Sequence, residues 1–149
     1  MFRNKKNTML RLLATVLVIA MVLPFAVGAE TVQPRASAYL DSYEAYIYPV
    51  GNGKVQIYYT VIGTRTIDEL GVMRITLYES TDNSTWSWVK TFTQSGTPSL
   101  MGYNDYLHSG HVTYRGVAGR YYKAYVCVWG GDNGAGDNRY FWTSAKRAT

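Results

Sequence analysis

Two histidines, one cysteine and a run of aspartates and asparagines are the groups in this 149-residue chain whose types and spacing could do chemistry. His108 and His111 stand three apart in Asp-Tyr-Leu-His-Ser-Gly-His, with Asp105 ahead of them. Two imidazoles and a carboxylate make three ligands, the number a catalytic zinc takes while keeping one position open. In extended chain, however, residues i and i+3 fall on opposite faces, and Ser109-Gly110 reads as the start of a strand, which leaves two ordinary turn histidines. The second candidate lies in CVWGGDNGAGDNRYFW, residues 127–142. Asp132, Asn133, Asp137 and Asn138 resemble the oxygen ligands of a calcium loop but lack EF-hand spacing and its terminal glutamate. The simpler reading of residues 130–138 is a long hairpin connection, with glycines supplying positive φ and Asx side chains satisfying the turn. No metal is assigned from either set, and no cofactor is expected.

Cys127 is the one cysteine, so an internal disulfide is excluded. Only Lys123 stands near enough in sequence to lower a thiol pKa. That leaves a buried, inert thiol, with pairing between chains as the alternative. The chain has no nucleophile elbow, phosphate loop, Cys-His pair or HExxH helix. Glu44, Asp68, Glu69 and Glu79 are scattered, and no two are placed by sequence to act as acid and base. Glycosidase carboxylates do meet from distant strands, so a hydrolase stays as a third reading.

Fourteen tyrosines and four tryptophans are the main compositional oddity. Tyr121, Tyr125 and Trp129 alternate along one segment and share its predicted outward face. Arg74 and Tyr78 join them if their strand is a neighbour, and Tyr140 and Trp142 flank the glycine-rich connection. A flat aromatic strip edged by Arg and Lys stacks on sugar rings or anchors a protein partner. The competing reading is ordinary sheet dressing, because Tyr and Trp suit half-buried strands.

The elements that would position these groups are short strands. KVQIYYTVI (residues 54–62) puts Val55, Ile57, Tyr59 and Val61 on one face. An Asn52-Gly53 pair precedes it, the favoured chemistry of a tight hairpin, and residues 42–48 supply its partner. GTRTIDELG (63–71) reads as irregular. Residues 72–79 then alternate, with Met73, Ile75 and Leu77 on one side and Arg74, Thr76 and Tyr78 on the other. Residues 80–84 form a turn and 85–93 a strand with Trp86, Trp88 and Phe92 together. Residues 94–108 lack a period and read as the longest loop. Strands at 111–115, 121–129 and 139–144 follow. In the second, Tyr122, Ala124, Val126 and Val128 point inward and Cys127 outward. About seven strands with regular turn signals predict an all-β, single-domain, immunoglobulin or fibronectin III-like β-sandwich; a small barrel is the rival.

The first 29 residues read as a signal peptide. Arg3, Lys5, Lys6 and Arg11 form a basic start, residues 12–27 an uncharged apolar run broken by Pro24, and Val27-Gly28-Ala29 a cleavage site after Ala29. The run is too short for a spanning helix, so no stable membrane insertion is expected once it is removed. Residues 30–37 form a polar, flexible leader, and residues 38–149 the domain. The formal charge of +5 is mostly the signal: without its four cations, eleven basic residues face ten acids, a net of +1. That balance gives no reason to expect nucleic acid as a partner. Export without a disulfide suits a Gram-positive bacterium.

GVAGRYYKAYVCV (116–128) is similar to the turn and penultimate strand of fibronectin type III-like domains, with Tyr122 at the corner tyrosine, and NGKVQIYYTV resembles their second strand. The order PRAS, NGKV, LYEST, WxWVKTF and HSGHVTYRGVAG resembles a family of short secreted proteins from Firmicutes. That resemblance implies a fold and an export route and no activity. YNDYLHSGHVTYRG also looks something like the middle of lactococcin-type bacteriocins. The expected function is a secreted, non-enzymatic binding or adhesion module for a glycan or surface protein, with a bacteriocin-like antagonist as the alternative.

Overall fold

The computed structural model describes residues 37–149, and residues 36–149 form one compact unit. The expected signal peptide, its expected cleavage site and all but the last residue of the expected leader lie outside the described residues. The strands are β1 (Leu40–Gly51), β2 (Lys54–Ser80), β3 (Ser87–Thr93), β4 (Met101–Arg115), β5 (Tyr121–Asp132), β6 (Ala135–Trp142) and β7 (Lys146–Arg147). All pair antiparallel in one seven-stranded sheet, so the chain is nearly all β. Among the described residues no helix is long and apolar enough to cross a membrane.

The organising element is β2, 27 residues long. Its first half pairs with β1 on one side and β4 on the other; its second half pairs with β3 and β5. The register with β4 shifts between Ile62 and Ile67, where β2 bends. Gly63 stands at the bend, and a Cβ there would come 2.8 Å from the Arg65 carbonyl oxygen. The segment read as irregular, GTRTIDELG, is therefore strand. Its polar residues Thr64, Arg65, Thr66, Asp68 and Glu69 are exposed on the corner, while Ile67 and Leu70 are buried.

The bend lets the sheet fold over its own apolar face. Val55, Ile57 and Val61 from the first half and Ile75, Leu77, Tyr122, Ala124, Val126 and Val128 from the second enter one core. Each fully buried branched side chain contributes on the order of 1.5–3 kcal/mol. The Tyr43 and Phe141 rings, 5.2 Å apart, close the core between β1 and β6.

Two bulges change the predicted phase. One in β2 between Val72 and Arg74 turns Val72 inward beside Ile75 and leaves Met73 40% exposed, against the expectation for Met73. The other places Val89 as the extra residue of β3 opposite Leu77 and Tyr78. Trp88 then faces out with Tyr78 while Phe92 faces in with Ile75, so the two are not on one side. The predicted loop 94–108 is only a 3-10 turn, Pro98–Leu100, followed by the 15-residue β4. Its many Tyr, Asn and Gly residues hid the strand period. The Asn52-Gly53 turn is as expected, with φ of 52° and 73°.

Tyr122 is fully buried. Its hydroxyl accepts from the Val117 N–H (2.9 Å) and donates to Glu79 Oε2 (3.2 Å), tying the 116–120 turn to β2. Burial pushes its pKa up. Tyr122→Phe leaves the Val117 N–H unpartnered, and urea unfolding is expected to show a loss of about 1–2 kcal/mol; an unchanged midpoint counts against this anchor.

In the 80–86 turn the Asp82 carboxylate accepts from the Thr85 N–H (2.8 Å), the Ser84 N–H (2.9 Å) and the Ser80 hydroxyl (2.7 Å). The backbone donors of Thr85 and then Ser84 hold its carboxyl well below the usual carboxylate range. A lowered folded-state pKa contributes stability above the unfolded value of about 4 and loses it as pH falls. Asp82→Ala should lower the melting temperature at pH 7, and the difference from the parent should shrink steadily below pH 4.

Candidate functional site

Period two puts one side chain in two on the solvent side of a strand, and antiparallel pairing lines these up in rows across the sheet. On the outer face of β3, β2, β5 and β6 one row is Trp88, Tyr78 and Lys123, the next Thr91, Thr76, Tyr125 and Trp142, and the third Thr93, Arg74, Cys127 and Tyr140. The rings touch along and across the rows. Tyr125 lies 4.8 Å from Trp142 and 5.7 Å from Tyr140, and Tyr78 lies 5.3 Å from Trp142. The Lys123 ammonium sits 4.6 Å from the Trp142 ring and 4.3 Å from the Trp86 ring. Such a cation held between two indoles is attracted by both ring faces. Trp88 is 62% exposed, Trp142 49% and Tyr140 46%, and Trp88 Nε1 donates to Thr91 Oγ1 (2.9 Å).

Arg74, Tyr78, Tyr125, Tyr140 and Trp142 are thus brought together as expected. Trp86 and Trp88 complete the patch and were missed as members. Their signal was present in the Trp-Ser-Trp alternation, but the β3 bulge reverses the phase that alternation implies.

Two expected members stand apart. Tyr121 lies at the far end, under the Arg147 guanidinium (5.8 Å) beside β7. Trp129 lies at the other end, and its role is structural. Its indole lies over Gly131 and Gly136, where an added Cβ would come within 2.8 and 2.5 Å of the ring, and its N–H donates to Glu69 Oε2 (3.2 Å). A side chain at either glycine would force the ring off the sheet.

Cys127 keeps the outward parity read from the sequence but is only 4% exposed, the buried, inert thiol that was expected. Arg74 and Tyr140 flank it in register across the strands. The Cys127 side chain beside it raises the pKa of Tyr140. A covered thiol should react with an aromatic disulfide reagent at least about a hundred-fold more slowly in the native protein than in denaturant, since access requires local opening. Fast native labelling would mean that the cover is open.

The metal candidates do not converge. His108 Nε2 lies 3.0 Å from the Ser99 carbonyl, which can only accept, so Nε2 carries the proton. The Tyr59 hydroxyl donates to the same carbonyl (2.9 Å), and together they pin the 3-10 turn. His111 faces the opposite way, its ring tilted 33° to that of Tyr58 at 5.0 Å. Asp105 Oδ1 accepts from the Tyr106 N–H (2.9 Å).

The calcium-like loop is a two-residue hairpin turn, Asn133-Gly134 (φ 49° and 78°), because β5 continues to Asp132 and β6 starts at Ala135. Asp132 accepts from the Asp68 N–H and pairs with Arg65, while Asp68 accepts from the Asn133 N–H (2.7 Å). Asp137 accepts from the Ser37 hydroxyl (2.8 Å). Asp68 and Asp132 clasp the turn to the β2 bend, with the Arg65 guanidinium where a cation would have to sit. Of the glycines in this segment only Gly134 has positive φ; Gly131 and Gly136 give the indole room. Among the described residues no three His, Cys, Asp or Glu side chains group as a metal site.

No family model and no curated protein matches the chain. Among solved structures, a family 76 glycoside hydrolase from a bovine Bacteroides thetaiotaomicron strain aligns with a TM-score of 0.33 at 12% identity, over 71% of this chain and 20% of that one. At that score the likeness carries neither fold nor chemistry.

Proposed function

We propose that this chain is a secreted, non-catalytic binding or adhesion module whose ligand, a glycan or a surface-exposed partner, lies on the outer face of β3, β2, β5 and β6. The observation that carries the reading is the continuous block of Trp88, Trp142 and Tyr140, each about half exposed or more, edged by Arg74 and Lys123. Rings held in water on a rigid sheet leave apolar faces unburied, and a stacked ligand would cover them. The strands already fix the ring positions, so little ordering entropy remains to oppose binding. On the strand rows of this patch stand two cations and no carboxylate.

The neighbouring acids are occupied in holding the fold. Glu79 binds Arg120 and Tyr122, Glu69 binds Trp129, and Asp68 and Asp132 clasp the hairpin. This favours recognition over acid–base catalysis at the patch.

A glycan array and a cell-wall pull-down with residues 30–149 test the reading. Ring anchors of this kind are worth about 1–2 kcal/mol each, so Trp88→Ala combined with Trp142→Ala should weaken capture by about a hundred-fold with an unchanged melting curve. Capture that survives the double substitution removes the face from the function.

A further inference from the structure

The opposite outer face, formed by β1, the first half of β2 and β4, carries a second ordered series of groups. Tyr46, Tyr58 and His111 form a ladder across its three strands, with ring centroids 5.4 and 5.0 Å apart and the two tyrosines only 10° from parallel. Tyr46 is 49% exposed. Two residues along β2, Gln56 faces Thr113, and its carbonyl accepts from the Tyr58 hydroxyl (2.7 Å). Two further on, Lys54 faces Arg115 directly across the strands. In the other direction, beyond the ladder, a depression of 270 Å³ is lined by Ser42, Tyr43, Glu44, Thr60 and Ile62.

Like charges placed opposite each other on a sheet repel, and among the described residues no carboxylate pairs with Lys54 or Arg115. Along β2 the face therefore runs from a mixed polar and apolar hollow with one carboxylate, over the stacked rings, past an amide, to a cation pair. Residues 54–60 span about 20 Å at the strand rise. Ser42, Thr60 and Glu44 at the hollow accept the donors of a neutral sugar, the exposed Tyr46 ring that ends the stack offers its open face to a pyranose, and Lys54 with Arg115 binds a carboxylate.

We infer that this second face binds an acidic polysaccharide in which neutral and carboxylate-bearing sugars alternate, laid along β2 with a carboxylate between Lys54 and Arg115. The site is separate from the patch on β3, β2, β5 and β6, so the chain carries two back-to-back binding faces. A module of this kind holds a polysaccharide on one side while engaging its other ligand on the opposite side.

Affinity electrophoresis through gels containing hyaluronan, with hydroxyethyl cellulose gels as the neutral comparison, tests the site. The protein should be retarded by hyaluronan, and Tyr46→Ala with Tyr58→Ala should weaken retention at least about ten-fold, the loss of 1–2 kcal/mol expected of ring anchors. Lys54→Gln with Arg115→Gln should weaken it similarly and remove most of its salt dependence. Trp88→Ala with Trp142→Ala should leave it unchanged, which separates this face from the patch proposed above. Melting curves matching the parent show that the variants are folded. No retardation by hyaluronan, equal retardation by both polymers, or loss on the Trp88/Trp142 change instead of the tyrosine change would each overturn the inference.

Discussion

The bend in β2 is the constraint on which the rest of the molecule depends. A 27-residue strand cannot stay flat in so small a unit, and a sheet built on it would expose its apolar side. By turning near Gly63 and the register shift before Ile67, β2 brings Val55, Ile57 and Val61 over Ile75 and Leu77, so that one strand supplies both walls of the core. The hydrophobic faces of the other strands follow from pairing with it. The hairpin clasp among Arg65, Asp68, Asp132 and Asn133 secures this corner from outside. The polar residues that looked like a loop are the ones that make the corner stable in water.

Folding one sheet over itself also decides where chemistry is available. Both inner faces are consumed by packing, so any recognition falls to the outer rows. There the side chains differ by role. Trp129 is held flat by two glycines and a carboxylate, whereas Trp88 and Trp142 stand free of such restraint on one side. Equal residue types thus serve structure in one case and present surface in the other, according to what lies beneath the ring. His108 and His111 repeat the distinction: one bonds Ser99 and fixes a turn, the other lies on the tyrosine ladder.

Much of the fold was legible because alternation and Asn-Gly turns are local signals. The all-β class, the inner face of β5 and the first hairpin all follow from period two and turn chemistry. Three things were not legible, for physical reasons. The corner of β2 has loop composition because it is solvated on one side. Bulges at Met73 and Val89 shift phase without leaving a mark in residue type. The groups beside the Cys127 thiol, Arg74 and Tyr140, come from other strands and are set by register rather than by local sequence. The candidate patch was readable as a set, since Arg74, Tyr78, Tyr125, Tyr140 and Trp142 converge, but its most exposed member, Trp88, was hidden by the bulge.

That bulge has a consequence for how such a face can change over generations. Because Val89 is the extra residue that sets Trp88 outward, loss of one codon rather than exchange of a side chain would restore simple alternation and reverse the phase of the segment before it. The number of rings presented to solvent is thereby tied to insertion and deletion at a sheet edge, where the chain tolerates both. Surfaces built this way can gain or lose a contact in one step while the core sequence stays the same.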